Sequence, residues 1–344
     1  MNNHKQKPDN KQQTTNNKHF HRFISFFKFL LNSQNQHGLH SPFVFELVTR
    51  CFYDKTKYSE YDVLKAYRKK LLEDKRKIEV TDFGAGSRVF KSKEREVAAI
   101  AKNVGIPQKR AKFLFRLAKY LDCRNILELG TSLGIGTAAL ALNKSAQITS
   151  IEGCPETAGV AKEKLQKFGF ENVNLEIGEF EEVLEALVES AIGSGKERTE
   201  NPQLRTDNSE PRTQNRQPQT TNNKQQTDSK ASAGKPSTDN PEPRTENREQ
   251  QHTTNNKQQT SFDLIYFDGH HTKEATLKYF ELLLPTAHNE SVFIFDDIHW
   301  SRGMEEAWEM IKKHPEVRVS IDTFYLGLIF FRKEQAKQDF IIRL

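Results

Sequence analysis

The chain has 344 residues, a formal net charge of +6 and a pI near 9.0, with only 35% hydrophobic residues and a mean hydropathy of −0.77. That length allows two domains, but the apolar deficit is concentrated in two tracts. Residues 2–19 hold no large apolar side chain, and residues 193–261 hold only Leu204. Neither tract buries enough surface to offset its ordering entropy, so both are expected to be disordered. The remainder suits one α/β domain behind an N-terminal extension. No run approaches a membrane span, and the N-terminus is polar rather than a signal sequence, so a cytoplasmic location is expected. Lysines and arginines are spread among acids without basic–aromatic clustering, which speaks against nucleic acid as a partner. Cys51, Cys123 and Cys154 lie at no metal or redox spacing, as buried thiols in a reducing compartment do.

The two polar tracts share vocabulary. The segment 11–18 recurs in rotated form at 220–227 and 253–260, and Pro-Arg-Thr-x-Asn-Arg begins at both Pro211 and Pro243. These repeats are too polar to be packed solenoid units. They read as low-complexity sequence, with a tether for a partner as the functional alternative.

In chain order, residues 20–31 are dense in phenylalanine with a few basic residues. They predict a helix packing on the core or on a second subunit, which leaves a homodimer open; a membrane-surface helix is the alternative. Ser41 followed by Pro42 is a cap and a first-turn proline, opening a helix over 43–52. His37 and His40 just before it read as packing or capping residues, with ligand duty the alternative. A basic amphipathic helix is predicted over 61–72. The loop Val80-Thr81-Asp82-Phe83-Gly84-Ala85-Gly86-Ser87 mimics a nucleotide turn, but no acid-terminated strand follows. It reads either as a mobile loop near a site or as a plain surface turn. Helices over 94–103 and 108–121 are then expected.

The central stretch is Arg124-Asn125-Ile126-Leu127-Glu128-Leu129-Gly130-Thr131-Ser132-Leu133-Gly134-Ile135-Gly136. An apolar run ends in an acid and a glycine, turns, and opens an Ala-rich helix. That is the first strand, turn and helix of a doubly wound sheet. Gly130 and Gly134 allow a ligand close to the backbone. The next strand, 147–151, ends at Glu152, where a carboxylate can take both hydroxyls of a ribose. Gly134-Ile135-Gly136-Thr137-Ala138-Ala139 fits a loose dinucleotide pattern, which would suit an NAD-dependent oxidoreductase. That frame, however, begins four residues after the strand ends. The frame starting at the strand, Glu128-Leu129-Gly130-x-x-x-Gly134, resembles the first motif of the class I S-adenosylmethionine-dependent methyltransferases. Glu152 falls at the place of their ribose-binding acid.

Beyond it, a helix begins at Pro155, a third strand covers 173–177, and Glu179 follows where the resemblance implies a contact to the adenine amino group. The helix 181–190 runs into the insertion 193–261, a surface connection. A fourth strand, 262–267, ends in Asp268-Gly269-His270-His271, and a fifth, 291–295, ends in Asp296-Asp297-Ile298-His299-Trp300. After a helix over 301–313, strands over 317–321 and 324–331 close the sheet. The expected fold is α/β, a Rossmann-like seven-stranded methyltransferase sheet over 108–192 and 262–344. It carries an N-terminal helical extension or lid (20–107), a disordered tail (1–19) and the disordered insertion.

The resemblance implies that S-adenosylmethionine is held by Glu128 and the turn residues Gly130, Ser132, Gly134 and Gly136, together with Glu152, Glu179 and Asp268. Three aspartates at neighbouring strand ends are costly to crowd unless a hard cation neutralises them; helix capping is the plainer reading. The constellation resembles the cation-dependent O-methyltransferases related to the catechol and caffeoyl-CoA enzymes. That likeness implies Asp268, Asp296 and Asp297 as ligands of Mg2+ or another divalent cation, with Asp297 standing where the family has an amide. It also puts His271 where the catechol enzyme has its lysine base, beside Asp268 in the catalytic pair. The implied activity is O-methylation of a small hydroxylated acceptor. The rival readings are the oxidoreductase and a non-catalytic methyltransferase-like binding module. Trp300 reads equally as a pocket wall or as core.

Overall fold

Strands with apolar side chains at both parities need cover on both faces, and the computed structural model of the chain provides it. Residues 10–81, 92–192 and 261–344 are described. The chain divides into two units, Met1–Ser194 with Gln258–Leu344, and Gly195–Lys257; the second lies wholly outside the described residues. So do most of the insertion expected at 193–261 and residues 82–91, which hold most of the glycine loop.

The N-terminal part is helical: α1 (Asn10–Asn32), α2 (Pro42–Leu47), α3 (Glu60–Leu72), α4 (Val97–Asn103) and α5 (Gln108–Tyr120). The helix α1 starts inside the polar tail. It packs by one side only, with Phe29 buried while Phe23, Phe27 and Leu31 stand exposed. Ser41 caps α2 as expected, its Oγ accepting from the Val44 amide at 3.4 Å. Between α3 and α4, strands β1 (Lys77–Glu79) and β2 (Glu94–Glu96) form a two-stranded antiparallel ribbon. This corrects the helix expected over 94–103, which begins only at Val97. Pairing with β1, including a Lys77–Glu94 ion pair at 3.2 Å, overrides the helical propensity of Glu-Arg-Glu.

The main sheet follows as β3 (Asn125–Leu129), α6 (Ile135–Ala141), β4 (Gln147–Glu152), α7 (Pro155–Lys167), β5 (Val173–Ile177) and α8 (Phe180–Ile192). The chain then runs through β6 (Leu264–Phe267), α9 (Lys273–Leu283), β7 (Val292–Asp296), α10 (Arg302–Lys313), β8 (Val319–Asp322), β9 (Leu326–Phe330) and β10 (Gln338–Ile341). The strand order is β10-β8-β9-β7-β6-β3-β4-β5, with β9 antiparallel to both neighbours and the other pairings parallel. The seven expected strands are all there, and β10 adds an eighth at the edge. Strand order reverses at β3, which has β4 on one side and β6 on the other, so a ligand crevice is expected beyond its carboxyl end.

Strand periodicity divides the core. Leu127, Leu129, Ile265, Phe267, Phe293 and Phe295 face one way, into a cluster with Phe280 and Trp308 of α9 and α10. Ile126, Ile148, Leu264, Tyr266 and Ile294 face the other way, into a cluster with Phe113 and Leu114 of α5. Tyr67 and Leu71 of α3 join that second cluster, so the extension shares the core of the sheet domain. On α10, Met304, Ala307, Trp308 and Ile311 recur at helical spacing and are all buried, each large side chain contributing about 2–3 kcal/mol. Among the described residues no helix is long and apolar enough to cross a membrane.

Candidate active site

The turn after β3 is shaped by close approach. Gly130 has φ +105°, and a Cβ there would lie 2.3 Å from the Asp268 carbonyl oxygen, so only glycine fits. Ser132, at φ 48°, is also left-handed. This directs its amide at Glu152 Oε2, 2.6 Å away, while the Cys154 amide donates to Oε1 at 3.0 Å. The expected ribose-binding acid thus sits against the glycine turn. Burial raises its pKa, opposed by the backbone amides. From α3, the Tyr67 hydroxyl donates to the Leu133 carbonyl at 2.9 Å and supports the turn from below.

Glu128 lies deeper. It is 1% exposed and accepts from Ser150 Oγ at 2.6 Å and from Thr137. Burial pushes its pKa up to about 7. Of the residues expected around the cofactor, Gly130, Ser132, Gly136, Glu152, Glu179 and Asp268 line one cleft of about 500 Å³. Glu128 and Gly134 lie behind that wall and shape the turn. His37 and His40 are exposed and do not line the cleft.

Beside Glu179, Phe180 stacks on His270 with ring centroids 5.0 Å apart and planes inclined by 29°. His270 Nδ1 is 3.0 Å from the Tyr279 hydroxyl, and burial lowers its pKa. This aromatic shelf was not anticipated. Its sequence signal is slight, a phenylalanine following the acid after strand three. His270 and His271 are both left-handed, at φ 61° and 28°, a strained backbone of the kind that clusters at functional sites.

At the other end of the cleft the aspartates gather. Asp268 continues the parity of Leu264 and Tyr266, and Asp296 that of Val292 and Ile294, so both leave the sheet on the face covered by α5. That helix supplies Arg110, whose Nη1 lies 2.6 Å from Asp296 Oδ1 and 3.9 Å from Asp297 Oδ1. Arg22 of α1 also comes within 3.9 Å of Asp297 Oδ1. Arg22 lies over the Trp300 ring at 5.1 Å, and Arg110 over Tyr325 at 5.2 Å. Burial, then the charge of Asp296, pushes the pKa of Asp268 well above the usual carboxylate range. Burial works against the charge on Arg110, but Asp296 and its neighbours more than offset this and hold the guanidinium protonated. His271 Nε2 is 3.8 Å from Asp268 Oδ1, and both line the cleft, as does Trp300. No motif marked Arg22 or Arg110 in the sequence.

The three aspartates expected as metal ligands therefore converge, but as an ion-paired cluster. Among the described residues no group of three or more His, Cys, Asp or Glu side chains is arranged to hold a metal ion. With Arg110 already compensating Asp296, the donor set does not fit a divalent cation.

Residues 88–195 match the family model described as O-methyltransferase, and residues 204–298 match one described as methyltransferase domain. The chain resembles the O-methyltransferases. A catechol O-methyltransferase of Niastella koreensis is 33% identical to this methyltransferase-like chain over 93 residues, 26% of the chain and 42% of that protein. The match thus spans less than half the length of that curated relative. An SAH-bound Podospora anserina methyltransferase shares 12% identity with a TM-score of 0.46, covering 85% of this chain and 97% of its own. A Bacillus cereus O-methyltransferase in complex with SAH shares 14% identity with a TM-score of 0.41, covering 83% and 96%.

Proposed function

We propose that the chain is an S-adenosylmethionine-dependent O-methyltransferase acting on a small hydroxylated acceptor. The observation that carries this reading is Glu152, held by two backbone amides against the Gly130 turn, in the same cleft as the His271–Asp268 pair. The Glu152 carboxylate lines the cleft, where its oxygens can accept from vicinal ribose hydroxyls. Glu179 receives the adenine amino group, and the Phe180–His270 shelf offers its apolar face to the ring. Gly130, Ser132 and Gly136 let backbone come close to the rest of the cofactor. Bound there, S-adenosylmethionine supplies an electrophilic methyl group.

His271 takes the proton of the acceptor hydroxyl at Nε2, and the Asp268 carboxyl beside it positions the ring. Trp300 and the α1 segment around Arg22 wall the acceptor end and exclude water. The metal assistance suggested by the family likeness is left out of this reading, because Arg110 stands among the aspartates. The three cysteines are all free and buried, which favours a reducing, cytoplasmic setting.

Calorimetry of the full chain with S-adenosylmethionine, and in parallel with NAD, tests the cofactor. Methyl transfer to catechol tests the reaction. Binding of S-adenosylmethionine but not NAD is expected; the reverse result would establish the oxidoreductase reading instead.

A further inference from the structure

We propose that Arg110 takes the place of a divalent cation, so that the acceptor end of the cleft is a metal-free site with a guanidinium as its resident positive charge. The role in catalysis rests on the methyl-transfer reading above; the displacement of metal does not.

The arginine is built in. Pro107, with an extended φ of −64° and ψ of 150°, starts α5, and Arg110 lies in its first turn. The residues after it, Ala111, Phe113, Leu114, Phe115 and Leu117, are at most 2% exposed. The backbone of Arg110 therefore cannot withdraw without unpacking the core. The side chain is held from a second direction by the Tyr325 ring, 5.2 Å from its guanidinium carbon. A cation bridging Asp268, Asp296 and Asp297 would have to displace Nη1 from its 2.6 Å contact with Asp296. It would then sit beside a fixed positive charge in a partly buried site, where like charges repel strongly.

Charge balance points the same way. Two carboxylates, Asp296 and Asp297, meet two guanidiniums, Arg110 and Arg22, within 3.9 Å, and the third, Asp268, lies beside His271. A divalent ion added to this cluster would leave it in positive excess.

Arg110 also lines the cleft. Among the described residues its one side-chain hydrogen bond is from Nη1 to Asp296, so donors on Nε and Nη2 remain for an acceptor oxygen. A guanidinium facing a hydroxyl lowers the cost of the oxyanion, as a metal does elsewhere. The step balances without a metal. The hydroxyl proton passes to His271, the oxygen lone pair forms the O–C bond, and the C–S bond electrons leave with sulfur.

The test uses Mn2+ as probe on the full chain, with free ion read by electron paramagnetic resonance. The wild type is expected to show no stoichiometric binding. Arg110→Gln, which removes the charge at similar volume, is expected to bind Mn2+ at least about tenfold more tightly (about 1.4 kcal/mol). Methyl transfer to catechol by the wild type should be unchanged in EDTA. Stoichiometric Mn2+ binding by the wild type, or transfer abolished by EDTA, overturns the proposal. So does an Arg110→Gln variant that retains S-adenosylmethionine binding but gains no Mn2+ affinity. If that variant does not fold, the wild-type titration alone decides. Absence of S-adenosylmethionine binding by the wild type would sink the methyltransferase reading and leave the Mn2+ result readable.

Discussion

The amide of Ser132 meets Glu152 Oε2 at 2.6 Å, joining two residues 20 positions apart across neighbouring strand ends. This contact fixes the carboxylate at the lip of the cleft rather than leaving it to point into solvent. Glu152→Ala is therefore expected to weaken S-adenosylmethionine binding by more than tenfold, about 1.4 kcal/mol, by calorimetry. An unchanged affinity would remove Glu152 from the cofactor site.

Gly130→Ala tests the close approach of the β3 and β6 ends. The new methyl would be placed 2.3 Å from the Asp268 carbonyl oxygen, at a φ of +105° that alanine rarely adopts. A loss of more than about 2 kcal/mol is expected, read as a lowered urea midpoint. A wild-type midpoint would mean that the two strand ends are further apart.

Tyr67→Phe removes the hydroxyl that donates to Leu133 at 2.9 Å and leaves that carbonyl without its buried partner. A cost of about 1–3 kcal/mol is expected. Because the carbonyl belongs to the turn, cofactor affinity should fall along with stability. Loss of stability without loss of affinity would confine Tyr67 to core packing.

His299 predicts a pH dependence. Burial opposes its charge, but hydrogen bonds to Asp322 and Glu305, both at 2.8 Å, win and raise its pKa from 6.5 to about 9. A raised pKa means that the folded state holds the proton more tightly than the unfolded one. Its stabilisation is therefore complete below pH 6.5 and lost as pH rises through 9. Stability measured across that window should decline in the wild type, and more shallowly in His299→Gln. The same Glu305 carboxylate lies 3.1 Å from His21 Nε2 of α1.

On the proposed methyl-transfer reading, His271→Ala is expected to lower kcat by ~100-fold or more for whichever hydroxylated acceptor the wild type turns over, the usual contribution of a positioned base. Affinity for S-adenosylmethionine should be retained. An equal loss of both would place His271 in cofactor binding.

Much of this architecture was legible in the sequence, because strand parity and strand ends are local properties. Apolar runs closing on Glu128-Leu129-Gly130, Glu152, Asp268 and Asp296-Asp297 mark where strands stop and on which side acids emerge. The ribbon strand Glu94–Glu96 and the edge strand Gln338–Ile341 carry no such signature. The first is a charged triplet, the second has only Phe340 buried, and both exist because a neighbouring strand offers hydrogen bonds.

By itself, then, the sequence determined the alternation of strands and helices, the glycine turn, and the row of acids at one rim of the sheet. Tertiary structure alone decided what stands opposite those acids. Arg110 and Asp296 lie 186 residues apart and no shared pattern links them. Their 2.6 Å contact arises because α5 buries its apolar stripe on the sheet face from which Asp268 and Asp296 emerge. Which charge meets a strand end depends on the packing of whole elements, and local periodicity carries no record of that.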